Sequence, residues 1–117
     1  MVARYVSYRS VLAMLIFYLI CFKSIYGGKF NDDKDGLKRK VQRGSLVMAN
    51  SGKNTNSSQF FIVLTNDETK LSKMNGKYVV FGGVESGWDI LDRLDEVGGE
   101  ADGQSSKPVW IGECGVC

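Results

Sequence analysis

The chain has 117 residues, 44% of them hydrophobic, and a formal net charge of +2. That is enough apolar material for one domain with a single core, and it gives no case for a nucleic-acid-binding protein. The sequence contains no histidine, so the commonest general base and the usual nitrogen ligand of zinc are absent. Histidine-based hydrolysis and histidine-ligated metal sites are therefore disfavoured, and we expect no metal and no cofactor.

Residues 1–23 differ from the rest of the chain because residues 11–22 are an unbroken apolar run. Its twelve residues are fewer than the roughly 20 of a membrane-spanning helix and fit the roughly 7 to 15 of a signal-peptide core. Two interpretations stay open. A genuine signal or anchor would make the protein secretory or membrane-associated, whereas an N-terminus from a truncated or misassembled gene model would leave it cytoplasmic.

Residues 24–117 are predicted to form a small domain that is mainly β with one clear helix. Polar segments at 31–36 and 65–75 are predicted to be loops. The strand at 59–64 is apolar on both faces, so we expect it to run through the core. Strands are predicted at 46–49, 59–64, 76–84 and 108–114.

The one predicted helix runs from Gly87 to about Val97. Ser86 and Asp89 have the spacing of a capping box, and Gly98-Gly99 supplies a stop of the left-handed type. Its apolar residues recur at three- and four-residue spacings and predict one buried face, which indicates core packing. These residues are Trp88, Ile90, Leu91, Leu94 and Val97.

Three smaller motifs receive structural interpretations. Asn31 to Gly36 resembles half of a calcium-binding loop, but the twelfth position holds Gln42 instead of a bidentate Glu, so it is interpreted as a solvated turn. The basic cluster Lys38–Lys40 with Arg43 is interpreted as a solvated loop. Three cysteines cannot all pair within one chain, and Cys114 is expected to be a small buried residue at a strand end.

The run from 44 to 63 places an apolar strand, a polar hairpin and a second apolar strand within twenty residues. It contains Met48-Ala-Asn50, Asn54-Thr-Asn56 and Ser58-Gln-Phe-Phe61 in that order. In these motifs it resembles the cyclophilin-type peptidyl-prolyl cis-trans isomerases. Residues 24–30, 76–82 and 111–115 also look like segments of that family.

The resemblance implies a partial antiparallel β-barrel that is not closed. Residues 24–117 resemble the C-terminal half to two-thirds of the family's domain, with the N-terminal part missing or replaced. The family's arginine-bearing and Gln-Gly-Gly-type segments have no match in residues 1–23, and neither Arg4 nor Arg9 fits them. No catalytic residue is therefore assigned.

The resemblance also implies a substrate groove. Its proline pocket would have Phe61 in the floor and Met74 in the wall, with Gln59 as a polar contact. Tyr78 stands where the family commonly has a histidine, and Lys73 where many members have a tryptophan. The residues implied to bind substrate are Ala49, Asn50, Ser51, Gln59, Phe61, Met74 and Tyr78.

The implied activity is the isomerisation of X-Pro bonds, which assists protein folding and requires no nucleophile, metal or cofactor. The implied partners are proline-containing peptides or unfolded chains, and cyclosporin-like ligands with weakened binding. Nucleic acid is not expected, and a membrane is expected only if residues 11–22 are a genuine anchor. Two alternatives to an active isomerase stay open: a non-catalytic proline-peptide binding module and an inactive fragment.

Overall fold

The computed structural model describes residues 24–98 and 105–116. Within these ranges, no helix has the length and apolarity needed to cross a membrane. Residues 1–23, with the predicted signal or anchor, lie outside the described residues, as do Gly99 and Cys117. In chain order the elements are α1 (Lys34–Lys38), β1 (Ser45–Met48), β2 (Phe60–Ile62), α2 (Glu68–Met74), β3 (Val80–Gly83) and α3 (Trp88–Val97).

The three strands form one antiparallel sheet in the order β2-β1-β3. Val47 of the central strand lies opposite Phe61 of β2 and opposite Val80 of β3. Directly opposed residues project from the same face of an antiparallel pair, so these three side chains share one face. The sheet is open in the part of the chain that the structure describes, because β2 and β3 are its two end strands.

The predicted hairpin is confirmed as the β1–β2 pair, and the third predicted strand is β3. The expectation that β2 runs through the core is wrong. β2 is an end strand, and Phe60 is 44% exposed. Phe60 meets Phe81 edge to face on the side of the sheet opposite Val47, with ring centroids 5.8 Å apart.

The core lies between one face of the sheet and α2. Its buried members are all aliphatic, and burying each such side chain contributes about 1.5–3 kcal/mol to folding. Leu71 is the buried residue of α2, so it attaches that helix to the sheet. The cluster consists of Val41, Val47, Val63, Leu71 and Val80.

Helices α1 and α2 occupy parts of the segments 31–36 and 65–75 that were predicted to be loops. Each begins after an aspartate whose carboxylate accepts a backbone N–H of the first turn, from Gly36 to Asp33 (2.6 Å) and from Thr69 to Asp67 (2.9 Å). These caps satisfy donors that a helix start leaves unpaired. The helices were missed because they are too short to show an apolar period, and Asp33 serves as a cap in what was interpreted as a solvated turn.

The predicted helix at 87–97 is confirmed as α3, but its predicted capping box is wrong, and the predicted left-handed stop falls partly on Gly99, which lies outside the described residues. The N-cap is Gly87, which has φ +83° and makes no side-chain cap bond, so Ser86 and Asp89 form no capping box. At the other end Gly98 is extended, with φ −66°, and its N–H donates to the carbonyls of Leu94 and Asp95. Leu91 is buried as expected, whereas Ile90 is 51% exposed.

The predicted closing strand at 108–114 is wrong. No ladder pairs residues 105–116 with any described strand, and Trp110 is 71% exposed. Cys114 is exposed, which corrects the expectation of a buried thiol. Alternating apolar residues are not sufficient for a strand, because a strand also requires pairing with a sheet edge. Residues 105–116 pair with neither of the outer edges that β2 and β3 leave open.

Gly44 tests how α3 is attached to the sheet. It has φ +82°, and a Cβ there would lie 2.6 Å from Trp88 Cη2. We expect Gly44→Ala to lose about 1–2 kcal/mol of unfolding free energy through the left-handed backbone, and a further amount because the indole must move. Urea denaturation measures the total loss of unfolding free energy.

Gly27→Ala is the matched control. Gly27 has φ +83° but nothing within 4 Å of its ideal Cβ, so this variant carries the backbone cost alone. Equal losses in the two variants would contradict the packing of Trp88 on Gly44.

Candidate functional site

Three half-buried side chains from three different segments form an apolar floor. Phe61 comes from β2, Met74 from the last position of α2, and Tyr78 from the segment before β3, and all three pack against the aliphatic core cluster. The rings of Phe61 and Tyr78 meet edge to face, with centroids 5.5 Å apart at 84°. Such a pair contributes about 0.5–1.5 kcal/mol beyond burial. The floor is therefore both part of the core and partly open to solvent.

The local structure explains how each side chain reaches this floor. Phe61 faces the core side because it lies opposite Val47. Met74 follows Leu71 by three residues on α2, so both lie on the same helix face. Beyond the helix, Gly76 adopts φ +72° and the Lys77 N–H donates to the Met74 carbonyl (3.1 Å). This tight turn carries Tyr78 back toward the sheet.

Asn50 connects the hairpin to the floor. Its Nδ2 donates to the Lys77 carbonyl at 2.9 Å, and its Oδ1 accepts the Gly52 N–H at 3.1 Å. The side chain is therefore occupied within the protein. The backbone N–H and C=O of Asn50 make no hydrogen bond to any other described residue. Its main chain is consequently available beside Tyr78.

The other implied site residues lie along the hairpin. The Ala49 N–H donates to the Gln59 carbonyl at 2.9 Å, which continues the β1–β2 ladder by one pair. Ala49 is half-buried, while Gln59 is exposed. Ser51 is also exposed, and its N–H donates to Thr55 Oγ1 at 2.8 Å, within the hairpin turn. The structure thus brings Phe61, Met74 and Tyr78 together, places Asn50 beside them, and directs the backbone of Ser51 into the turn.

Two residues that the sequence analysis did not single out hold this arrangement. Asn75 Oδ1 accepts the Val41 N–H at 2.8 Å, which ties the end of α2 to the chain entering β1. Lys77 supplies the carbonyl that receives Asn50. The available signal was the Asn75-Gly76 dipeptide, a strong turn former. No set of three metal-ligating side chains converges anywhere in residues 24–98 or 105–116.

Asp67 is the charged group that determines where α2 begins. Its carboxylate accepts the N–H groups of Thr69 (2.9 Å) and Lys70 (3.4 Å). The hydrogen bond from the Thr69 backbone is the main cause that lowers the pKa of Asp67 below its ordinary value, and the nearby Lys70 charge lowers the pKa further. The ionised carboxylate is thus the form that caps the helix carrying Met74.

The lowered pKa of Asp67 gives a stability effect with a definite sign. A carboxyl whose folded pKa is lowered stabilises the fold above its unfolded pKa, and this contribution disappears as the pH falls through the folded value. We therefore expect the difference in unfolding free energy between the protein and Asp67→Asn to shrink below about pH 3.8. Asparagine still caps but does not titrate. Urea denaturation from pH 7 to pH 2 measures the difference, and a constant difference would contradict the assignment.

Removing the Asn50 amide should loosen the floor. In Asn50→Ala the Lys77 carbonyl loses its donor, so we expect a loss of about 1 kcal/mol in unfolding free energy together with NMR shift changes at Tyr78. Asn54→Ala, in the same hairpin, is the control. It removes the amide that accepts the Asp32 N–H, and it should leave the signals of Tyr78 in place.

The chain matches a protein-family model. The model described as cyclophilin type peptidyl-prolyl cis-trans isomerase/CLD matches residues 22–116. The matched range covers most of the chain and contains all seven residues of the implied groove, from Ala49 to Tyr78. It also contains Asn75 and Lys77, the two residues that hold the groove together.

Proposed function

Because the chain belongs to the cyclophilin-type peptidyl-prolyl cis-trans isomerase family, we propose that its apolar floor receives the proline ring of a peptide substrate. The family's domain binds proline-containing peptides and isomerises X-Pro bonds. The observation that supports this placement is the edge-to-face contact of Phe61 and Tyr78 beside Met74. It presents a half-buried apolar surface next to the free backbone of Asn50.

The reaction sets modest chemical requirements. Rotation about the peptide bond has a barrier of about 18–20 kcal/mol, because amide resonance is lost in the twisted state. A site accelerates it only by binding the twisted amide more tightly than the planar one. The apolar floor would hold the proline ring, and a backbone contact would hold the residue before it. The two groups joined by the rotating bond are then bound separately, which contributes to tighter binding of the twisted amide.

We assign the backbone grip to Asn50. A substrate segment running beside residues 49–51 would pair with it as an added strand does, through main-chain N–H and C=O groups. The side chain of Asn50 keeps its own loop in place through Lys77. Gln59 pairs with Ala49 across the hairpin, and its side chain is exposed. Its side-chain amide therefore supplies a polar contact at the edge of the groove.

Two further parts of the proposal follow from family membership. The open three-stranded sheet is part of an antiparallel barrel of the family's type, in which Phe60 and Phe81 lie on the face opposite the groove. Cyclosporin-like ligands share the groove with peptides but bind more weakly, because Tyr78 and Lys73 replace the family's usual histidine and tryptophan. No arginine of this chain is assigned a catalytic role.

Adjacent phenylalanines provide a matched test of the groove. Phe61 lies in the floor, whereas Phe60 projects to the opposite face of the sheet. We expect Phe61→Leu to weaken binding of an Ala-Pro peptide by about five- to thirtyfold, which corresponds to about 1–2 kcal/mol of lost contact. Phe60→Leu should bind within about twofold of the unaltered protein. NMR titration gives the affinity, and two-dimensional exchange NMR gives the rate of cis-trans exchange in the same sample.

The outcomes separate the alternatives. Exchange faster than in the peptide alone supports the isomerase, and binding without faster exchange supports a non-catalytic binding module. Equal losses in Phe61→Leu and Phe60→Leu would contradict the placement of the groove. Because Phe61→Leu also affects the core, Tyr78→Leu is a second variant on a different segment, and it should weaken binding in the same direction.

A further inference from the structure

The charges of this chain are strongly segregated. Residues 36–84, which contain the whole groove, have eight basic residues and only two acidic ones. The rest of the chain has seven basic and eleven acidic residues. The small net charge of the protein therefore hides a positive segment around the groove.

The two acidic residues in this segment stand at one end of α2, away from the floor. Asp67 caps the helix start, and Glu68 forms a long, exposed ion pair with Lys40 at 4.0 Å. The other end of the helix carries Lys73 and Met74. The acidic side chains thus lie at the start of α2, and Lys73 lies at its other end, next to Met74.

Lys73 and Lys77 are next to residues of the floor along the chain. Lys73 directly precedes Met74, and Lys77 directly precedes Tyr78. The position of Lys77 is fixed twice, because its N–H donates to the Met74 carbonyl and its carbonyl accepts from Asn50. Both lysines are exposed, so their ammonium groups can reach a ligand that extends beyond the floor.

Neither lysine forms an ion pair within the described part of the chain. Within residues 24–98 and 105–116, no acidic side chain lies within 4.0 Å of Lys73 or Lys77. A lysine in the last turn of a helix is favourable in itself, because it complements the negative end of the helix dipole. This explains Lys73, but it does not explain Lys77, which follows the helix and the turn at Gly76.

The neighbouring basic cluster Lys38–Lys40 adds little unpaired charge to this region. The Val41 N–H donates to Asn75 Oδ1, which places residue 41 beside the end of α2. Lys38 pairs with Asp35 at 3.0 Å and Lys40 with Glu68 at 4.0 Å, so two of the three charges of this cluster, interpreted from the sequence as a solvated loop, already have acidic partners. On the hairpin side of the groove the nearest charged residue along the chain is Lys53, and residues 44–66 contain no acidic residue.

We propose that this groove selects proline-containing segments in which acidic residues flank the X-Pro pair, with Lys73 and Lys77 as the main determinants. The inference rests on the proposed function, since it concerns the substrate of the same groove. The floor binds the proline ring, and the lysines attract carboxylates on either side. Complementary charge raises the rate of encounter and disfavours basic segments.

The expected size of the effect follows from the exposure of the lysines. A solvent-exposed ion pair changes an affinity by about 1.4- to fivefold. Two such pairs predict a preference of about two- to twenty-fivefold for an acidic over a neutral peptide. Exposed charges are screened within about 10 Å at 0.1 M salt, so the preference should decline as the salt concentration rises.

Four synthetic peptides test the proposal with the full chain. Ac-Glu-Ala-Pro-Ala-Glu-NH2, Ac-Ala-Ala-Pro-Ala-Ala-NH2 and Ac-Lys-Ala-Pro-Ala-Lys-NH2 keep the same Ala-Pro bond and change only the flanking charge. Ac-Glu-Ala-Ala-Ala-Glu-NH2 keeps the acidic residues without proline. Affinities are measured by NMR titration at 20 mM and 500 mM NaCl, and we expect the order acidic, neutral, basic at low salt.

Charge variants locate the effect. Lys73→Gln with Lys77→Gln should remove most of the preference, measured as the ratio of the affinities for the acidic and the neutral peptide. Lys34→Gln with Lys107→Gln is the matched control, because it removes the same charge from exposed positions outside the segment 36–84. This control should keep the preference within about twofold.

The failures are distinguishable. Equal affinity for the acidic, neutral and basic peptides would overturn the charge preference and leave the proposed function standing. No binding of any proline peptide would overturn the proposed function and the preference with it. Equal binding of the acidic peptides with and without proline would show that the protein surface binds anionic peptides nonspecifically. This result would overturn the assignment of the preference to the groove.

Discussion

The rest of the structure depends on the burial of Val47 in the central strand. Val47 is fully buried and lies opposite Phe61 on one side and Val80 on the other. This register determines which face of the sheet receives α2, because the aliphatic cluster that holds Leu71 forms on the side of Val47. A shift of one residue would transfer Phe61 to the opposite face and replace it with Phe60. The apolar floor of Phe61, Met74 and Tyr78 therefore forms only in this register.

Two amide side chains position the loops around the apolar floor. Asn75 attaches the end of α2 to the chain entering β1, and Asn50 attaches the hairpin to Lys77. Both bonds end on backbone groups, so they position loops without using the aromatic surface of Phe61 and Tyr78. The floor stays half-buried as a result, with one side packed on the core and the other open to a ligand. Lys73 at the end of α2 and Lys77 in the following turn lie next to Met74 and Tyr78 along the chain.

The sequence predicted some elements well, for reasons that are local. The β1–β2 hairpin has two apolar runs around a polar turn, and α3 has apolar residues at helical spacing; each pattern extends over enough residues to be recognised. The short helices α1 and α2 have no such pattern, since they rest on single aspartate caps and a few tertiary contacts. The segment 108–114 shows the opposite error, because its strand-like alternation pairs with none of the described strands.

By itself the sequence determined the family, because the order and spacing of the motifs can be recognised along the chain alone. It also indicated Phe61, Met74 and Tyr78 as candidates for one pocket. Only the tertiary structure decided that these three side chains meet on one face, that Asn50 points its amide at Lys77, and that Asn75 ties the end of α2 to Val41. The physical reason is distance along the chain. Apolar periodicity and turn formation act over a few residues, whereas the bond from Asn50 to Lys77 spans 27 residues and that from Val41 to Asn75 spans 34. Partners at such separations are brought together by the burial of the core between them.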